Sequence, residues 1–196
     1  MKTQKATVLI TMFIMLVFAC KQQPKQESVV ETTEAKPNVV IIYLDDLGYG
    51  DVGAYGAEQL KTPNMDRLAA EGTLFTHAFA TTASCTASRS VILTGLQNHH
   101  TGLFGHMHFP NHFRAYENLK SLPVMLSEGG YRTGTVGKYH VAPKEVFDFD
   151  SFISLNDLEN QDYVSANFGR NPIAMAKACK DFINKEDNRP FFLYFC

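Results

Sequence analysis

Three groups of residues carry chemistry by their type and spacing. Asp45 and Asp46 are adjacent carboxylates that directly follow the apolar run Val39 to Leu44. Neighbouring carboxylates repel unless something positive lies beside them, and a hard divalent cation answers that need. A turn or a helix-cap pair explains the dipeptide equally well. A calcium ion takes about six to eight oxygen ligands, so two carboxylates supply only part of such a site. Cys85-Thr86-Ala87-Ser88-Arg89 places a thiol at the start of a predicted helix, with Arg89 four residues on. There the thiol lies among free amide donors in a positive field, and residues at i and i+4 share a face, so Cys85 and Arg89 can engage one anion. An inert, buried Cys fits the same segment. Lys138-Tyr139-His140 sets a cation and an imidazole two residues apart, on one face if the segment is a strand. An exposed Lys and a cross-strand His would give the same pattern.

These side chains need elements to hold them. Val39 to Leu44 reads as a central strand, β-branched and wholly apolar, with the aspartates at its carboxyl edge. A glycine-rich loop follows, and Thr62-Pro63 opens a helix that carries Met65, Leu68 and Ala69 and stops at Gly72. Leu74 to Ala80 reads as a short strand, Ser88 to Leu96 as a helix with Cys85 at or just before its start, and Pro123 to Glu128 as a helix ended by Gly129-Gly130. Tyr131 to His140 reads as an alternating strand. Asn171-Pro172 opens a helix to about Asn184, with Ile173, Ala176, Cys179, Phe182 and Ile183 on one face. Phe191 to Phe195 is a last apolar strand. Strands alternating with helices predict an α/β sandwich around a mostly parallel β-sheet. In such sheets ligands bind outside the carboxyl ends of the strands, where Asp45 and Asp46 stand.

The 196 residues amount to one domain, 45% apolar and 19% charged, with a formal charge of −2. That charge balance gives no footprint for nucleic acid. With 15 Phe and 8 Tyr the chain can fill a core, which excludes wholesale disorder, and 4 Cys are too few for a disulfide scaffold. Residues 1–19 have signal-peptide anatomy: Lys2 and Lys5, then an apolar stretch too short for a comfortable membrane span. Val17-Phe18-Ala19-Cys20 resembles a lipobox, in which the Cys becomes a diacylated N-terminus. Residues 20–37 follow as lipidated Cys and flexible tether, and residues 38–196 as the folded part. A chain that stops directly after a core strand is expected to be the front of a longer protein. Five of the 7 His lie between His99 and His112. His106-Met107-His108 has a zinc-like spacing without a supporting thiol or carboxylate cluster, and a polar loop lining a substrate pocket or a merely exposed loop explains it too.

Cys85 to Gly95, C-T-A-S-R-S-V-I-L-T-G, resembles the sulfatase signature C-x-P-S-R followed by x-x-x-L-T-G, with Ala87 where the family pattern has Pro. N-V-V-I-I-Y-L-D-D-L-G-Y-G resembles the family's first strand and its metal-binding aspartates, T-P-N-M-D-R-L-A-A-E-G the helix after it, and G-K-Y-H-V its Lys-x-His pair. The resemblance runs from Asn38 to Phe195. Within the family it leans to the enzymes that act on the N-sulfo group of glucosamine, through T-G-L-Q-N-H-H-T-G-L-F-G-H-M-H-F, F-G-R-N and R-P-F-F-L-Y-F.

The resemblance implies the alkaline-phosphatase-like fold of a sulfatase N-terminal region, here incomplete. It implies that Cys85 is converted to formylglycine by a maturase, of the radical type that accepts Ala at position 87. It also implies a calcium ion held by Asp45, Asp46 and the modified Cys85. Arg89 and Lys138 would then neutralise the sulfo group, and His140 would orient or protonate. The substrate would be a sulfated glycan such as a heparin or heparan sulfate fragment, attacked by the hydrated aldehyde. The remaining family residues lie beyond Cys196, so the chain alone is expected to be inactive. Three other readings stay open: an O-sulfate ester sulfatase, a non-catalytic sulfated-glycan-binding lipoprotein, and a phosphoester or phosphonate hydrolase of the wider superfamily. The signal segment implies an exported bacterial lipoprotein, membrane-anchored, periplasmic or at the cell surface.

Overall fold

The computed structural model describes residues 35–106, 113–154 and 172–196. The signal segment, Cys20, most of the tether, Met107 to His112 and the F-G-R-N motif lie outside the described residues. The strands are β1 (Val39–Ile42), β2 (Arg132–Gly137), β3 (Ser151–Ser154) and β4 (Phe191–Phe195). They form one sheet in the order β1-β4-β2-β3, parallel throughout. The helices are α1 (Pro63–Glu71), α2 (Cys85–Thr94), α3 (Asn98–Thr101), α4 (Leu122–Glu128) and α5 (Pro172–Ile183). This is the expected α/β architecture around a parallel sheet.

The apolar run of β4 is explained by its place between β1 and β2, covered on both faces. Successive strand side chains point to opposite faces. Phe192 and Tyr194 join Leu93, Leu103, Phe147 and Phe149 on one side. Leu193 meets Val136, Ala178 and Phe182 on the other. The two cores flank the same strand, which fixes its carboxyl end beneath the candidate site.

Several expected elements shift. Leu74 to Ala80 is irregular rather than a strand, because no described strand pairs with it, and Phe75 and Phe79 stand exposed. Apolar character without a ladder partner does not make a strand. The Tyr131-to-His140 strand is shorter, and all six residues of β2 are buried instead of alternating, as both faces of an interior parallel strand must be. It stops at Gly137, whose φ of 102° leaves the extended region and whose Cα touches so closely that any Cβ would overlap the Cys196 carbonyl oxygen. The packed face of α5 is also rotated from the expected one. Ala174, Met175, Ala178, Cys179 and Phe182 face the sheet while Ile173 and Ile183 are exposed. Small residues win that stripe because they let the helix approach β2, where the Phe182 ring fills the space over Gly134.

Thr62 and Gly72 bound α1 as expected, though Leu68 is exposed. The Thr62 hydroxyl does not cap its own helix. It accepts from Gly53 N at 2.8 Å and donates to Asp66 Oδ1 at 2.9 Å, while the same carboxylate oxygen accepts from Ala54 N at 2.7 Å. These bonds tie α1 to the glycine-rich loop that follows the aspartates.

Candidate active site

Helix α2 begins at Cys85, with Ser84 extended before it as N-cap, and ends where Gly95 turns left-handed at φ 69°. The first amides of a helix have no partner inside it, so the Cys85 end is a natural anion-facing terminus. Cys85 opens onto a cavity of about 500 Å³. Its wall also carries Asp45, Asp46, Ser88, His106 and Lys138. The carboxyl end of β1, the start of α2 and the segment after β2 therefore converge on one space.

The thiol has two imidazole neighbours. His140 Nδ1 lies 3.2 Å and His106 Nδ1 3.6 Å from Cys85 Sγ. His140 reaches it from the loop after β2, not from the strand, and sits in the left-handed region at φ 52°. Asp46 is left-handed too, at φ 58°. Two non-glycine residues in that sparsely populated region, both beside the cavity, mark backbone held against its preference by its surroundings.

Lys138 and Arg89 converge on a single carboxylate. Lys138 Nζ is 2.7 Å from Asp45 Oδ2, and Arg89 Nη2 is 3.1 Å from Asp45 Oδ1. The hydrogen bond from Lys138, helped by Arg89, holds the Asp45 carboxyl below its ordinary range despite partial desolvation. Arg89, expected to face the anion with Cys85, is 0% exposed. Its Nη1 donates to the Lys138 carbonyl at 2.8 Å and meets the Tyr194 hydroxyl at 3.4 Å, while its guanidinium lies 5.2 Å from the Tyr43 ring centre. Tyr43 in turn shares a 2.5 Å hydrogen bond with Ser88 Oγ. Arg89 thus braces Asp45 and the Lys138 backbone from below instead of lining the cavity.

All six singled-out residues are therefore near neighbours, but by a different route from the one expected. The Lys138 and His140 side chains gather through the loop that Gly137 opens, not through the pleat of a strand. His106 beside the thiol, and the Tyr43–Ser88 and Tyr194 contacts around Arg89, carried no recognisable signal beyond the density of His near position 106. Cys196 donates its thiol to the Lys138 carbonyl at 2.8 Å. Cys179 packs on the sheet side of α5, a core thiol as expected.

For a metal, the carboxylates of Asp45 and Asp46 are the hard oxygen donors a calcium ion takes. Among the described residues no group of three His, Cys, Asp or Glu side chains forms a ready cage. The donor type fits, and the two carboxylates supply part of the about six to eight oxygens such an ion takes.

The sulfatase family model matches residues 37–196. The chain belongs to the sulfatase family. It is 38% identical over 160 residues to human N-sulphoglucosamine sulphohydrolase, covering 82% of this chain and 31% of that one. It is 37% identical over 150 residues to the N-acetylgalactosamine-6-O-sulfatase of Bacteroides thetaiotaomicron, covering 73% of this chain and 28% of that one. Among solved structures it resembles BT4656 in complex with its substrate D-glucosamine-2-N,6-O-disulfate, at 25% identity and a TM-score of 0.63, over 81% of this chain and 33% of that one. The chain thus spans about a third of the length of these relatives, and within that span its fold is that of sulfatases. Members of the family are hydrolases of sulfate esters and sulfamates that generally depend on formylglycine and calcium.

Proposed function

We propose that this chain is the nucleophile-bearing portion of a sulfatase that removes the N-sulfo group of glucosamine in sulfated glycans such as heparin or heparan sulfate fragments. The observation that carries the reading is the meeting, in one cavity, of Cys85 at a helix N-terminus with Asp45, Asp46 and Lys138, with the His140 imidazole against the thiol. The similarity to an N-sulphoglucosamine sulphohydrolase supports the choice of the N-sulfo group.

Formylglycine made from Cys85 supplies an oxygen nucleophile when hydrated, and a calcium ion held by Asp45, Asp46 and the modified residue supplies Lewis-acid polarisation. The other roles belong to the chain's own side chains. The amide end of α2 favours the anionic sulfo group. Lys138 adds positive charge at the cavity wall and locks the Asp45 carboxylate in one orientation. Arg89, buried beneath, fixes that same carboxylate and the loop carbonyl, so the charged groups are preorganised before substrate enters. His140, at hydrogen-bonding distance from the reacting side chain, orients it and handles its proton.

The wider setting is part of the proposal. A radical-type maturase, tolerant of Ala87, would convert Cys85. Residues 1–19 would direct export, and Cys20 would carry the lipid that anchors the protein at a membrane, periplasmic or facing outward, through the tether of residues 20–37. Incorporation of labelled fatty acid at Cys20, lost in Cys20→Ala, tests the anchor.

The function itself is tested with the whole protein, purified mature from its host, on a panel of N-sulfoglucosamine, 6-O-sulfated N-acetylglucosamine and an aryl sulfate. Sulfate release greatest from N-sulfoglucosamine supports the reading. Preference for an O-sulfate would move it to the O-sulfatases, which the similarity to a 6-O-sulfatase already places nearby. Binding without turnover would favour a glycan-binding lipoprotein.

A further inference from the structure

We propose that His106 is a second imidazole contact for the sulfo group, a specificity-determining residue beside the one that the Lys-x-His pair supplies. The inference rests on the sulfatase reading above and adds a residue to it.

Position 85 is where the attacking atom forms, and Cys85 Sγ stands in for the oxygen of the converted side chain. A sulfo group must come within bonding distance of that atom to react. His106 Nδ1 is 3.6 Å from it and His106 forms part of the cavity wall. Any sulfo group seated over position 85 therefore brings an oxygen within hydrogen-bond reach of the His106 ring. His140 approaches the same sulfur at 3.2 Å, and the two ring centres are 6.5 Å apart, so the imidazoles flank position 85 without stacking on each other. A tetrahedral group offering three outer oxygens is the shape such a flanked seat accepts.

Of the two cations expected to meet the anion, only Lys138 reaches the cavity. Arg89 is fully buried and spends its guanidinium on Asp45, the Lys138 carbonyl and Tyr194. The Lys138 ammonium gives one N–H to Asp45 at 2.7 Å and keeps others at the cavity wall. His106, on the cavity wall, adds a donor beside those of Lys138 and His140. A short polar contact of this kind discriminates by leaving a donor unpaired when the wrong group binds.

The test uses the whole protein with Cys85→Ala, which has neither thiol nor hydroxyl to oxidise to the aldehyde, so that N-sulfoglucosamine binds without turnover. Calorimetry compares this protein with its His106→Ala and His106→Asn derivatives. Asparagine sets an amide near the position of Nδ1. The expected result is affinity weakened about tenfold by His106→Ala and largely restored by His106→Asn, the scale of one hydrogen bond to a charged group. Equal affinity in all three overturns the inference, as does an equal loss in both derivatives with an unchanged thermal midpoint. In mature protein carrying Cys85, the same substitutions should raise KM for N-sulfoglucosamine more than they lower kcat. Mature wild-type protein that releases sulfate from no member of the panel defeats the sulfatase reading instead, and wild-type turnover with an indifferent His106→Ala defeats only this inference.

Discussion

Arg89 reaches Asp45 at 3.1 Å from beneath, and every hydrogen-bonding contact of that guanidinium goes to the floor of the cavity rather than into it. The proposed anion seat is thus built in two layers. A buried cation holds the carboxylate, and the carboxylate, the Cys85 helix end and His106 line the cavity, with His140 against the Cys85 thiol. The first layer makes the second rigid.

Removing the buried cation should therefore damage fold and function together. Arg89→Met takes away the partner of Asp45 and the donor to the Lys138 carbonyl. Asp45 is partly exposed and keeps Lys138, so the cost falls below the roughly 3 to 5 kcal/mol of a fully buried pair. The thermal midpoint of the whole protein should fall by several degrees, and sulfate release should drop to background. A midpoint unchanged within error would show that Asp45 is held by Lys138 alone.

Gly137 should resist any side chain. Its φ of 102° and its packing against the Cys196 carbonyl leave no room for a Cβ, and the next residue is Lys138. Gly137→Ala should displace the loop that delivers Lys138 and His140, with activity lost more completely than stability. Sulfate release near wild type in this variant would contradict the loop's role.

The helix face against the sheet is tested by Phe182→Ala. Phe182 is buried over Gly134, and the Arg132 guanidinium lies 4.3 Å from its ring centre. Loss of such a ring costs about 3 to 5 kcal/mol. Ile173→Ala on the exposed side should cost under about 0.5 kcal/mol. Comparable losses from both, read by denaturant unfolding, would contradict the observed rotation of α5.

Cys179 offers a chemical check on burial. Desolvation pushes its thiol up to about 11, with the Cys196 thiol adding to the shift. Only the thiolate alkylates, so at pH 8 about one Cys179 in a thousand is reactive. Because the folded value lies above the unfolded one, the associated stability is present below pH 9.0 and lost as pH rises from there towards about 11. Iodoacetamide at pH 8 should leave Cys179 unlabelled until the protein unfolds, and rapid labelling of the native protein would contradict its placement.

Much of the fold was legible because its signals are strong and local. The apolar runs Val39 to Leu44 and Phe191 to Phe195, the Thr62-Pro63 and Gly72 stops, and the break at Gly129-Gly130 each name an element by chemistry that needs no partner. What sequence could not carry was tertiary. Leu74 to Ala80 has strand-like residues and no neighbour to pair with. The α5 stripe follows small alanines whose value appears only once the sheet is beside them. In the site, the types and positions of Asp45, Cys85, Lys138 and His140 were readable, but the inward turn of Arg89 and the approach of His106 depend on loops whose path only the assembled fold defines.

The central claim is that position 85 is the reacting centre, and one measurement meets it directly: mass mapping of the Cys85 peptide from mature, sulfate-releasing protein isolated from its host. The account predicts a peptide lighter by the thiol-to-aldehyde conversion, with sulfate release abolished in Cys85→Ala. An intact thiol at Cys85 in protein that still releases sulfate would contradict it.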